Sequence, residues 1–475
     1  MFRFHGLAIG VMACLAVSGG VFAQSGEGPL EVYEGRYEYV GDTTLLIAAG
    51  PHAERLYAVI SGARYPLEPD RDDVFLNSGG QEVHFVRNRA GAVTGYRVLE
   101  SQPLETNRLF HMLDSTERYP EAAWTGRPDG APDTYAYRAP DTLDDGLATA
   151  ELANGDPLRE RVSALAQSVY DDEWPYVHSA LVYRDGALVF EEYFYQYDRG
   201  TQHQMRSATK TLVALLVGAA IDRGAIASVD VEVLPYFDAY DALENVDDRK
   251  RAITLDDLLS MRSGLACDDW DPGSPGNEVL MGQSDDWVRF VLDLPMARQP
   301  GSEAAYCSGN VILAGRMVEM AVGMPLVEFA DEVLFAPLGI ADYDWDFSPD
   351  RSNTDNFCQA WLRPRDVMKI GVMIANDGVF DGDRVLPAEW IERMTAAHAE
   401  IGGTPYGYFW WGRYLFVDGE RHETPQASGN GGQKIILLDA LDAVVVLTAG
   451  NYNASSHTNA LLGQYIIPGL TGESP

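Results

Sequence analysis

Hydrophobic and polar positions follow two rhythms along this chain, and the change falls between residues 114 and 156. Before it, short runs at 36–40, 44–47, 55–60, 73–76, 82–86 and 94–99 are each of strand length. Asn77-Ser78-Gly79-Gly80 and Asn88-Arg89-Ala90-Gly91 carry residues that accept the backbone of tight turns, so they read as hairpin connections. Strands at this spacing predict a small all-β domain over 24–113, an antiparallel sheet or barrel. Tyr33, Tyr37, Tyr39, Phe75, Phe85 and Tyr96 are expected to pack its core and edges. No acid-base pair or metal-ligand spacing occurs there, which makes the domain accessory. From 114 to 156 periodicity disappears, and Pro120, Pro128, Pro132 and Pro140 stand among Gly, Asp, Ala and Thr. That composition predicts a linker or an extended arm lying on the next domain.

From residue 157 to 475 the pattern is mixed. An amphipathic helix is expected at 158–170, then a hairpin of strands 177–183 and 187–194 around Arg184-Asp185-Gly186. Residues 211–221 are apolar on nearly every face, so this helix should run through a core and stop at Asp222-Arg223-Gly224. Further helices are expected at 253–261, behind a Thr254 cap, and at 284–294 and 311–320. Strands return at 408–416, 434–438 and 443–448, before a closing helix at 459–467. Strands at both ends with helices between them predict an α+β (α/β) domain whose first and last segments pair into one antiparallel sheet flanked by helices.

Charge and cysteine content change this picture in two ways. Residues 1–23 combine a basic Arg3, a short apolar run and Val21-Phe22-Ala23 before Gln24, the makings of a signal peptide. The expectation is an exported protein, periplasmic or extracellular, with lipidation at Cys14 as the lesser alternative. The oxidising compartment then allows one bridge among Cys267, Cys307 and Cys358; the sequence does not assign it, and Cys267 with Cys307 is the choice made here. The net charge of −36 becomes −37 once Arg3 is removed. Such a charge repels nucleic acid and anionic membrane, so the expected partner is a small molecule, with no membrane insertion of the mature chain.

Candidate chemistry begins at Ser207-Ala208-Thr209-Lys210. Positions i and i+3 share a helix face, so Lys210, once deprotonated, can take the proton of Ser207 Oγ and make it a nucleophile. Tyr306-Cys307-Ser308-Gly309-Asn310 stands at a loop-helix junction, and Ser428-Gly429-Asn430-Gly431-Gly432-Gln433 offers backbone N–H donors ahead of a strand. His203 is expected to pack or support rather than act as a base, and His457 to line the cleft or lie in a solvated loop. Alternation along a strand would turn one of Trp410 and Trp411 to the core and leave the other as an apolar cleft wall. Neither zinc-ligand spacing nor a nucleotide-type glycine loop is found, and no metal or organic cofactor is expected.

These three motifs, in this order and at intervals of roughly one hundred residues, resemble the S-x-x-K, Y-x-N and K-T-G set of the serine β-lactamase and penicillin-binding-protein superfamily. Ser263-Gly264-Leu265 and Leu334-Phe335-Ala336-Pro337-Leu338-Gly339 fit as well. The branch it looks like is the one related to class C β-lactamases, with family VIII carboxylesterases, D-aminopeptidases and 6-aminohexanoate-dimer hydrolase. The resemblance implies acyl transfer through Ser207, with Lys210 and Tyr306 moving the proton and the N–H groups of Ser207 and Gln433 forming an oxyanion hole. A Lys210 cation would favour the phenolate of Tyr306. Gly432, Asn430, Ser308 and Asn310 are the matching substrate-side positions. Two departures matter: Ser308 stands where the second motif has Asn, with Asn310 as a substitute, and Asn430-Gly431-Gly432 replaces K-T-G. Loss of the cation that pairs with a substrate carboxylate favours uncharged esters or small amides. A weak β-lactamase or D-amino-acid peptidase, and a non-catalytic binding or sensor protein of the same fold, are the alternatives.

Overall fold

A computed structural model describes residues 30–39, 43–50, 55–60, 63–77, 80–99, 108–349 and 359–472. The expected signal peptide, Cys14 and Cys358 lie outside the described residues. Strands β1 (Gly35–Glu38), β2 (Thr44–Ala49), β3 (Leu56–Ile60), β4 (Ala63–Arg71), β5 (Val74–Leu76), β6 (Glu82–Arg87), β7 (Val93–Leu99) and β8 (Phe110–Asp114) form a closed barrel. Antiparallel pairing of β1 with β8 seals it. An eight-stranded barrel has an interior just wide enough for side chains to fill. Here Tyr37, Phe75, Phe85, Tyr96 and Phe110 fill it, with Tyr96 and Phe110 stacked at 4.9 Å. Two of its strands, β4 and β8, are absent from the periodicity. Pro66 and Pro69 interrupt the first, and the second alternates too briefly to register.

Residues 115–156 run as an arm over the following domain. Leu188 N–H donates to Ala148 O (2.8 Å) and Ala150 N–H to Leu188 O (3.1 Å), while the Tyr135 hydroxyl reaches buried Glu192 at 2.7 Å. The arm thereby covers a sheet edge that would otherwise present unpaired backbone.

That sheet is the frame of the second domain. Its strands are β9 (Val177–Arg184), β10 (Ala187–Tyr193), β11 (Gln426–Gly429), β12 (Gln433–Leu438) and β13 (Ala443–Ala449), in spatial order β10-β9-β13-β12-β11, all antiparallel. The first and last segments of the domain pair through β9 and β13, from Ala443 opposite Arg184 to Ala449 opposite Val177. One face carries Val182, Val189, Ile436, Val445 and Leu447 against α1 (Pro157–Tyr170) and the chain's closing helical segment. The other carries Leu181, Leu188, Ile435, Leu437 and Val444 toward the helical block. Burial on both faces explains why these strands read as continuous apolar runs rather than alternating ones.

Helix α2 (Thr209–Asp222) crosses that block with every residue from Thr209 to Ala220 buried, and α3 (Ser308–Val322) packs beside it. The expected strand at 408–416 is not one. Phe409 adopts φ +53°, which breaks the extended backbone, and only Tyr414–Val417 forms a strand; Trp410 and Trp411 are both buried. No single helix among the described residues is long and apolar enough to cross a membrane.

Gly218 sets the depth to which α2 is covered. A Cβ there would lie 2.2 Å from Trp390 Nε1, which donates to Ala214 O at 3.2 Å. Gly218→Ala should therefore displace the Trp390 indole and cost about 1–3 kcal/mol through overpacking. Thermal denaturation reads this as a lowered Tm, and an unchanged Tm would contradict the packing described.

Candidate active site

Ser207 sits in a 3₁₀ turn, Arg206–Ala208, that leads directly into α2. The preceding Arg206 holds φ +50°, a left-handed backbone that costs a side-chain-bearing residue about 1–3 kcal/mol unless its surroundings impose it. Two neighbours do. Met205 N–H donates to Ala360 O at 2.8 Å, and the end of the sheet's edge strand presses on the turn at Gly429. A Cβ on Gly429 would stand 2.2 Å from Met205 O and 3.0 Å from Arg206 Cβ, so only glycine allows this approach.

One helical turn on, Lys210 Nζ donates to Ser207 Oγ at 3.1 Å. Lys210 is buried, with 8% of its surface exposed. Its Nζ lies 5.1 Å from the centroid of the Tyr306 ring, and Ser207 lies close enough to the Tyr306 hydroxyl to favour its ionised form. Burial pushes the Tyr306 phenol above its ordinary value, and the Lys210 cation offsets this only in part. The pull of the Lys210 cation toward the phenolate is thereby outweighed by desolvation, and Tyr306 rests as the neutral phenol.

Tyr306 is fixed through the backbone. Cys307 is bridged to Cys267, and Asp269 N–H donates to Tyr306 O at 2.8 Å. The bridge brings in residues that the sequence did not single out. Asp269 accepts from Ser308 N–H (2.7 Å) and Glu278 N–H (3.0 Å), and Glu278 accepts from Ser308 Oγ (2.8 Å). Ser308 is thus engaged by two carboxylates. Asn310 is fully buried behind it with its amide on Met261 Sδ at 3.6 Å, so it does not take the place of the missing Asn. The expected Cys267–Cys307 pair already brought Asp269, two residues from Cys267, beside Tyr306, whereas Glu278 carried no signal in the sequence.

Aromatic rings wall the same space. Trp270 stacks on Tyr306 (5.3 Å, 15°), Trp411 lies 5.7 Å from Tyr306, and Tyr406 meets Trp411 edge-on at 4.6 Å. Trp411 is the apolar wall that alternation assigned to one of the two tryptophans, although Phe409 rather than a strand puts it there. Trp270 is 58% exposed and offers its ring to whatever enters.

The glycine-rich segment is a hairpin turn, not a loop before a lone strand. Gly429 pairs with Gln433 across Asn430, Gly431 and Gly432, the last two at φ +92° and +108°. Gln433 is fully buried, and its side-chain amide spans Ala449 O (2.7 Å), Ala449 N–H (3.1 Å) and Asn430 O (3.1 Å). It braces the turn, and its paired backbone faces into the sheet. This corrects the expectation that Gln433 N–H faces Ser207. Gln426 exchanges backbone bonds with Trp411, so by alternation the outward-facing backbone groups along this edge are those of Gln426 and Ser428. Asn430 is exposed, and its side chain bonds Asn453 at 2.7 Å.

Lys434, cross-strand from Ser428, donates to Ser428 Oγ and lacks a carboxylate partner among the described residues. Burial, and secondarily Arg413, pushes it down to about 8. His203 does not reach Ser207. It is buried against His178 (2.8 Å) and held down to about 4 by desolvation. His457, half-buried, contacts Asn451 at 3.3 Å. No group of three or more His, Cys, Asp or Glu among the described residues is arranged to hold a metal ion.

Desolvation first, and the Glu278 charge second, push Asp269 up to about 6. A carboxyl whose folded pKa is raised favours folding below its unfolded value near 4, and that contribution is lost as pH rises through about 6. The Tm advantage of wild type over Asp269→Asn should therefore shrink between pH 4 and pH 7. A difference that stays constant with pH would contradict this environment for Asp269.

Comparison with known proteins agrees with the architecture. A family model described as Beta-lactamase matches residues 177–458. The chain is 27% identical over 327 residues to the 6-aminohexanoate-dimer hydrolase of Paenarthrobacter ureafaciens, covering 63% of this chain and 81% of that one. In fold it is similar to simvastatin synthase (LovD) from Aspergillus terreus, with a TM-score of 0.50 at 20% identity, over 66% of this chain and 98% of that one. It is likewise similar to EstCE1, a hydrolase with promiscuous acyltransferase activity, with a TM-score of 0.50 at 16% identity, over 66% and 98%. With more than half of its length matched by that family's model, the chain belongs to the beta-lactamase family.

Proposed function

We propose that this protein is an exported serine hydrolase that cleaves small carboxylic esters or amides through an acyl-Ser207 intermediate. The observation that carries the reading is the buried Lys210 Nζ 3.1 Å from Ser207 Oγ, with the Tyr306 ring centroid 5.1 Å from that nitrogen. Ser207 Oγ attacks the substrate carbonyl as its proton passes to Lys210, which reacts in its neutral form. Tyr306, kept a neutral phenol by burial, hands its proton to the leaving group and regains one from Lys210. Ser207 N–H and Asn430 N–H, in the turn that follows the edge strand, hold the oxyanion. Water then attacks the acyl-enzyme and restores Ser207, with no step that needs a metal or organic cofactor. The Trp270 and Trp411 rings suit a flat or apolar substituent next to the carbonyl. Export fits the Cys267–Cys307 bridge, since such bonds persist in oxidising compartments.

A second reading has its own support. Lys434 on Ser428 supplies a cation one strand away from where K-T-G would have put it, which favours a substrate bearing a carboxylate, as a D-amino-acid peptidase or weak β-lactamase would use. Turnover of p-nitrophenyl butyrate, nitrocefin and a D-alanyl dipeptide separates the two. The ester should be cleaved, with the rate of Ser207→Ala lower by a factor on the order of 10⁴ or more. Exclusive turnover of the two carboxylate-bearing substrates, lost in Lys434→Met, would reverse the choice. No turnover of any of the three, with folded protein, would favour the binding-protein alternative.

A further inference from the structure

The barrel reaches the nucleophile. Arg64 and Tyr65 are successive residues of β4, so their side chains leave the strand on opposite sides, and both enter the catalytic domain. Arg64 is buried, donates to Ala123 O at 2.9 Å, contacts His178 Nε2 at 3.3 Å and lies 4.0 Å over the Tyr176 ring. It is an anchor, and the Tyr176 hydroxyl adds a second one by donating to Tyr57 at 2.8 Å. Tyr65 does something different. Its hydroxyl accepts from Arg206 Nη2 at 2.5 Å, its ring packs 5.7 Å from that of Tyr452, and the Arg206 guanidinium lies 4.7 Å over the same Tyr452 ring.

Arg206 is the residue at φ +50° directly before Ser207. A backbone held in an unfavourable region stays there only while its surroundings insist on it. Gly429 and Ala360 hold the main chain of this turn, whereas Tyr65 and Tyr452 hold the arginine's far end. We propose that the N-terminal barrel is a working part of the active site, in which Tyr65 is a positioning residue that fixes Arg206 and, through it, the turn presenting Ser207. This rests on Ser207 being the nucleophile. It replaces the accessory role expected of the barrel with a defined one: the catalytic domain's key turn is completed by a side chain from outside that domain.

The test is the rate at which Ser207 is labelled by a fluorophosphonate, followed by intact mass, in the full-length protein. Tyr65→Phe keeps the ring on Tyr452 and removes only the acceptor. Labelling should slow about tenfold, as expected for a small misplacement of a reacting atom. For any ester turned over, kcat should fall with KM unchanged, while Tm stays within about 2 °C of wild type. Tyr57→Phe removes the other interdomain hydroxyl contact and should label at the wild-type rate. Arg206→Met, which also removes the guanidinium from the Tyr452 ring, should slow labelling at least as much as Tyr65→Phe, and the double variant no more than Arg206→Met alone. Wild-type labelling rates in Tyr65→Phe, or equal slowing in Tyr57→Phe, would overturn the proposal while leaving the serine mechanism standing. A wild type that takes no label would overturn both.

Discussion

The structure turns on a desolvated hydrogen bond between Lys210 and Ser207. An ammonium removed from water is costly unless something replaces its hydration. Here the replacement is the Tyr306 ring, the Ser207 hydroxyl and the nearby carboxylate of Asp269, whose own ionisation Lys210 favours. The apolar helix behind Lys210 supplies the burial, with twelve consecutive residues from Thr209 to Ala220 withdrawn from solvent. A surface version of the same spacing would be a helix start followed by a hydrated lysine, without chemistry.

Much of the surrounding architecture serves to hold that pair in place. The edge strand bears on the turn through Gly429, and the hairpin beyond it is braced by Gln433. The Cys267–Cys307 bridge ties the Tyr306 segment to the Asp269 loop across a separation of 40 residues. Three residues with left-handed backbone lie here: Arg206 before Ser207, Met261, whose sulfur accepts from Cys307 N–H, and Phe409, whose carbonyl accepts from Thr211. Each such torsion persists only where packing over-determines it, so these three are points at which the surroundings hold the site's backbone in place.

The fold was largely legible in the sequence. Apolar runs located β9, β10, β12 and β13, and the all-apolar stretch after Ser207 located the buried helix. Strands β4, with its two prolines, and β11, only four residues long, escaped because neither has enough periodic length. The site was legible where it depends on local spacing, as for Ser207 and Lys210, or on motif order, as for Tyr306. It was not legible where it depends on tertiary contact. Asp269 and Glu278 enter through the disulfide, Tyr65 arrives from another domain, and Gln433 turns inward because of strand register. The direction of the Tyr306 shift also depended on a competition between burial and a nearby cation, which only the packed structure decides.

The central claim is that Lys210 activates Ser207, and it is tested most directly by comparing wild type with Lys210→Met for the rate of phosphonylation at Ser207, located by peptide mapping. The account predicts a single modified peptide containing Ser207 and a loss of rate on the order of 10²–10⁴, the usual contribution of a positioned general base. Modification of Ser207 at the same rate in both proteins, each shown to be folded, would contradict it.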